Sequence, residues 1–202
     1  MILYRYDSSG GQRYVDITDM YKNETAMIVG GSPSLKNQPE ITELLTSRVN
    51  NLVTFGINNV ARTFKTDYTV FIDDPACIDP IILMDPTIIK ITNDVRKNNK
   101  IPDYNITLRD IPGMMFFNRS SSDKSSALFS NKTLNSYKSN SLITAIVIAA
   151  AAGFKNIILA GSDFNLTNNT DDEQYITGKK LNELELKWNR FLFCCIRVRI
   201  KI

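Results

Sequence analysis

Short apolar runs recur along this chain, and stretches with helical patterning separate them. The runs read "AMIVG", "NLVTFG", "YTVFID", "TIIKIT", "GMMFF", "NIILAG" and "FLFCCIRVRI". They are β-branched and mostly do not alternate with polar residues, which suits strands buried on both faces of a parallel sheet. Between them lie "PEITELLTSR", "NNVARTFK", "ACIDPIILM", "SLITAIVIAAAAG" and "GKKLNELELKWNRFL". Alternating β and α elements predict a doubly wound α/β fold with a mostly parallel sheet. A chain of 202 residues holds one such domain, residues 1–202, with a sizeable core.

Three segments depart from the alternation. "ILYRYD" and "QRYVDI" flank "SSGG", which predicts a small N-terminal hairpin at the sheet edge. The stretch Asn140 to Ala152 is apolar on nearly all sides. Ala145, Ala149 and Ala152 recur there at helical spacing, and Gly153 is a natural stop, so a helix packed closely on the sheet is expected. Asn118 to Ser141 is rich in Ser, Asn and Lys, a long polar connection that fits either a functional lid or a linker.

Composition excludes several chemistries. The chain contains no histidine, so no imidazole serves as base or metal ligand; a proton must go to a carboxylate, Tyr, Lys, Cys or the substrate. The cysteines, Cys77, Cys194 and Cys195, are odd in number and irregularly spaced, which argues against a disulfide framework and a zinc site. No metal site is expected. The net charge of +3 does not indicate nucleic acid. The N-terminus lacks an apolar leader core, and no apolar run is long enough to span a bilayer, so a cytoplasmic location is the expectation.

Candidate site residues fall at strand ends, where open α/β sheets bind ligands. "AMIVGGSPSL" places Gly30, Gly31, Ser32 and Ser34 after the first core strand. Glycines there allow close backbone approach and leave N–H groups to face an anion. The motif is neither G-x-G-x-x-G nor a Walker loop, so a phosphate cradle and a plain turn both remain open. "FGINN" offers Asn58, either a ribose or base contact or a helix cap. "VFIDDP" ends in Asp73 and Asp74, carboxylates for a divalent ion or sugar hydroxyl, or an ordinary turn. "ILAGSDFN" adds Gly161, Ser162 and Asp163.

Side by side, "GGSPSL", "GINN", "DDP" and "NSLITAIVIAAAAGFKNIILAGSDFN" resemble the bacterial sialyltransferases built on a single Rossmann-like domain. They also resemble wider relatives that include a pterin diphosphokinase and motility-associated glycosyltransferases. The resemblance covers roughly residues 26–165 and is most specific in the last block. It implies a Rossmann-like domain that binds a nucleotide-activated sugar, CMP-sialic acid in the sialyltransferases, with an acceptor of unknown identity. By position it would set Gly31, Ser32 and Ser34 at the donor's phosphate and ribose, Asn58 at the nucleotide and Asp163 beside the nucleotide pocket, with Gly30 and Ser162 in the same loops as further donor-binding candidates. Ser141 would lie near the donor, and Tyr175 at the leaving phosphate. The sialyltransferases use a histidine base, which this chain lacks; Asp74, or else Asp163, would take the proton. That reading requires no cofactor. The alternatives are diphosphokinase-like pyrophosphate transfer, which would bring Mg²⁺ to carboxylates such as Asp73 and Asp74, and a non-catalytic nucleotide-binding module. A homo-oligomer is left open.

Overall fold

The computed structural model describes residues 1–32, 35, 39–47, 49–118, 129–130, 133–134, 140–162 and 199–201. In chain order the elements are β1 (Ile2–Tyr6), β2 (Gln12–Asp16), β3 (Thr25–Val29), α1 (Pro39–Thr46), β4 (Leu52–Ile57) and β5 (Tyr68–Val70). They continue as α2 (Pro80–Met84), β6 (Ile89–Asn93), β7 (Met114–Phe117), β8 (Phe129–Ser130), β9 (Thr133–Leu134), α3 (Ser141–Ala151), β10 (Asn156–Ala160) and β11 (Arg199–Lys201). Among the described residues one sheet runs β11-β10-β3-β4-β5-β6-β7-β1-β2, and β8 pairs separately with β9. Pairing is parallel from β11 through β7. β1 lies antiparallel on β7, and β2 antiparallel on β1 with Tyr4 opposite Tyr14. The chain is thus an α/β protein with a mostly parallel sheet.

Alternation along the strands builds two cores. Ala26 and Ile28 of β3 face α3, whereas Met27 and Val29 face the layer that contains α1. Farther along, Val70 and Phe117 face the α3 side, and Phe71, Met114 and Phe116 pack against Leu83 of α2 on the other. α3 is buried almost all round, from Ile143 to Ala149, as an apolar helix laid on a parallel sheet must be. It starts because Asn140 Oδ1 accepts the N–H groups of Leu142 and Ile143, at 2.9 and 3.3 Å.

Two stretches expected to be helical are shorter. "NNVARTFK" forms only a 3₁₀ turn, Asn58–Arg62, closed by the Thr63 N–H on the Val60 carbonyl. "ACIDPIILM" splits into a 3₁₀ turn, Pro75–Cys77, and the single-turn α2. Asp79 caps Ile81, and Pro80, with no N–H to donate, can only begin a new helix.

The amino-terminal edge of the sheet is held by aromatic and buried polar groups. Phe55 stacks on Tyr68 with centroids 4.8 Å apart, Tyr21 stacks on Phe154 at 4.7 Å, and the Tyr21 and Tyr68 hydroxyls bond each other. Lys90 of β6 is fully buried. Its ammonium donates to the Asp85 carbonyl and to the Pro112 carbonyl, the latter at 3.0 Å.

These groups set the alkaline limit. Burial, first of all, raises the phenol pKa of Tyr4 and Tyr68 above the ordinary tyrosine value. Above about pH 10 the unfolded chain loses these protons while the folded chain keeps them, so stability falls as pH rises. Burial lowers the Lys90 pKa, which has the opposite sign: its contribution improves as pH approaches the ordinary lysine value. Above the ordinary lysine value the gain from the amine is complete, whereas the loss from the phenols continues. Urea unfolding at about pH 10.5 and about pH 11.5 should show this loss, and Tyr4→Phe should reduce it. An unchanged alkaline slope in Tyr4→Phe would remove Tyr4 from this account.

Candidate functional site

The parallel strands deliver their carboxyl ends to one edge. β3 leads into Gly30, Gly31 and Ser32, β4 into Asn58 and Asn59, β5 into Asp73 and Asp74, and β10 into Gly161 and Ser162. From β3 the sheet grows toward β4 on one side, and the later β10 lies on the other. The gap between β3 and β10 is therefore the topological switch point, the usual ligand crevice of such sheets.

In this protein backbone closes that gap. The Gly30 N–H donates to the Ala160 carbonyl at 2.8 Å, and the Ser32 N–H to the Gly161 carbonyl at 3.0 Å. A methyl group at Gly30 would sit 2.3 Å from the Gly161 oxygen. Gly30 therefore lets two loops touch, and two N–H groups expected to cradle an anion are used inside the fold. The Gly31 N–H finds no partner among the described residues, and a methyl group at Gly31 would meet only Val60 Cγ2, at 3.9 Å.

The open space lies one strand over, between the ends of β3 and β4. A cleft of about 540 Å³ is lined by Gly31, Ser32 and Leu35 on one side and by Asn58, Val60 and Phe64 on the other. Its size falls within the range of small-molecule sites, about 300–1,000 Å³.

Asn58 is the residue most strongly constrained by this cleft. Its backbone is left-handed, with φ of 53°, a conformation Asn tolerates better than most residues. Its Nδ2 donates to Asp73 Oδ2 at 3.0 Å. A carboxylate only accepts, so Asp73 fixes which end of the amide faces it. Among the described residues Asn58 Oδ1, although enclosed, has no hydrogen-bond partner. Leaving such an acceptor unsatisfied costs about 1–3 kcal/mol.

The two adjacent carboxylates do different work. Asp74 Oδ1 caps the Ala76 N–H at 3.0 Å, and its Oδ2 accepts from Arg96 at 3.2 Å and Asn99 at 3.5 Å. Both oxygens of the expected base are thus tied into the scaffold. Asp73 is exposed and its second oxygen has no partner among the described residues. The sequence contained the signal: an Asp directly before a proline at the first helical position is a cap, which leaves its neighbour for chemistry. Asn59 is a clasp, its Nδ2 on the Cys77 carbonyl at 3.0 Å and its Oδ1 taking the Asp79 N–H at 2.8 Å.

Ser141 sits at the start of α3, buried, with Oγ accepting the Ile72 N–H at 3.1 Å. It pins the helix start to the end of β5. Ser162 Oγ donates to the Ala160 carbonyl at 3.4 Å. Ser34, Asp163 and Tyr175 lie outside the described residues. Among the described residues no three carboxylates or cysteines converge as metal ligands, and no helix is long and apolar enough to cross a membrane. The edge brings together Gly31, Ser32 and Asn58 with Asp73, and holds Asp74 and Ser141 in structural bonds. Compared with known proteins, the chain matches no protein-family model and has no significant match among curated proteins.

Proposed function

We propose that this chain is a Rossmann-like, glycosyltransferase-like protein that binds a nucleotide-activated sugar in the cleft between the ends of β3 and β4. The observation that carries this reading is the cleft itself, with Gly31, whose N–H has no partner among the described residues, on one wall and Asn58, oriented by Asp73, on the other. The strand order, with its single reversal between β3 and β10, supports the Rossmann-like assignment. A sugar nucleotide reacts by losing its phosphate, so the protein must stabilise an anion and take a proton from the acceptor. The Gly31 N–H supplies a donor for the phosphate. Asp73 is the described carboxylate best placed for the proton, because one of its oxygens has no partner among the described residues while those of Asp74 are occupied.

Thermal unfolding with cytidine, uridine and adenosine nucleotides, with and without Mg²⁺, tests the reading. A nucleotide at about 100 times its dissociation constant adds about 2.7 kcal/mol, and at about 2–4 °C per kcal/mol this raises the melting temperature by about 5–10 °C. A shift that needs no Mg²⁺ is the expected result. A shift only with Mg²⁺ would favour pyrophosphate transfer, and none with any nucleotide at millimolar concentration would remove the nucleotide site.

A further inference from the structure

A second cavity lies at the opposite, amino-terminal edge of the sheet. It is an apolar chamber of about 250 Å³ between α3 and the sheet, walled by Phe55, Ile91, Met115 and Ile148. The polar atoms of its two tyrosines, Tyr21 and Tyr68, are occupied with each other. Arg5 and Met20 also line it and are both solvent-exposed, so they mark its rim.

The rim is electrostatically incomplete. Arg5 stands directly opposite Arg13 across the β1–β2 pair, and like charges in that position repel. Arg13 is compensated by Asp7, at 3.0 Å. The Arg5 guanidinium has no ion-pair partner among the described residues. An uncompensated cation above a small apolar space fits a molecule with one anionic end and one short apolar tail.

We propose that the chamber binds an aliphatic monocarboxylate, its chain in the apolar space and its carboxylate on Arg5. The volume equals about eight shares of liquid water at about 30 Å³ each. A methylene group is of similar size, so the acid that fits has about eight carbons in all. A guanidinium pairs with a carboxylate through two parallel N–H bonds, which gives the site direction as well as charge. The site is separate from the nucleotide cleft and does not depend on it.

The test is a titration of the whole protein with carboxylates from butyrate to decanoate, read by NMR on the Met20 and Met115 methyl groups. Each buried methylene should tighten binding about fourfold, up to octanoate, after which the gain should stop. Octanol should bind more weakly than octanoate. Arg5→Gln, an exposed substitution that also relieves the repulsion with Arg13, should weaken octanoate about tenfold and leave octanol unchanged. Octanol equal to octanoate, full octanoate affinity in Arg5→Gln, or no response of either methyl group below the micellar concentration would each overturn the proposal.

Discussion

Replacing Gly161 with alanine is expected to lower the melting temperature by about 6–12 °C, on the basis of about 2–4 °C per kcal/mol for a chain of this size. Two costs combine. The backbone at Gly161 is left-handed, with φ of 57°, and an L-residue there pays about 1–2 kcal/mol. The new methyl group would also sit 2.4 Å from Leu35 Cγ and 2.9 Å from the Gly30 oxygen. Overpacking of that kind costs about 1–3 kcal/mol, so the sum is about 3 kcal/mol. The Gly30 oxygen is backbone and cannot swing away as a flexible side chain could. Gly31→Ala is the control, because its methyl group has room and should leave the melting temperature unchanged. If Gly161→Ala melts within about 2 °C of the unmodified protein, less than one kcal/mol on the same scale, the two loops do not meet as described. The switch-point crevice would then be open to ligands.

The same pair of glycines shows how much was legible beforehand. Short runs of Val, Ile and Phe announced the parallel strands, because a strand buried on both faces has no polar side to alternate with. The apolar stretch ending at Gly153 announced α3 for the same reason. Strand ends carrying Gly, Asn and Asp were readable as one edge, since parallel strands share a direction. What one sequence could not show was which strands become neighbours. β10, late in the chain, pairs with β3, and that neighbour uses the Gly30 and Ser32 N–H groups that appeared free for an anion. The division of labour between Asp73 and Asp74 was hidden in the same way. Arg96 and Asn99 reach Asp74 from beyond β6, and only the fold brings them there.

On the proposed reading of the cleft as a nucleotide-sugar site, Asn58→Asp is expected to weaken binding about a hundredfold at neutral pH, since each tenfold corresponds to about 1.4 kcal/mol and close charges near a surface couple by a few kcal/mol. The substitution is nearly isosteric, and Asp tolerates the left-handed backbone about as well as Asn does. It exchanges a donor for an acceptor at the point 3.0 Å from Asp73 Oδ2. Two carboxylates at that distance repel, so one of them must rise in pKa and share a proton. A negatively charged cleft then meets a negatively charged phosphate. Lowering the pH toward 5 should recover part of the affinity as the shared proton binds. The exchange variant, Asn58→Asp combined with Asp73→Asn, restores one donor and one acceptor across the same gap and returns the pair to its original charge. It should recover most of the binding while losing turnover, because the unengaged carboxylate oxygen of Asp73 is gone. Calorimetric titration of the single and exchanged variants checks the first part, and product formation the second. If Asn58→Asp binds as tightly as the unmodified protein, the Asn58–Asp73 pair does not face the ligand. If the exchanged variant turns over at full rate, the proton goes elsewhere than Asp73.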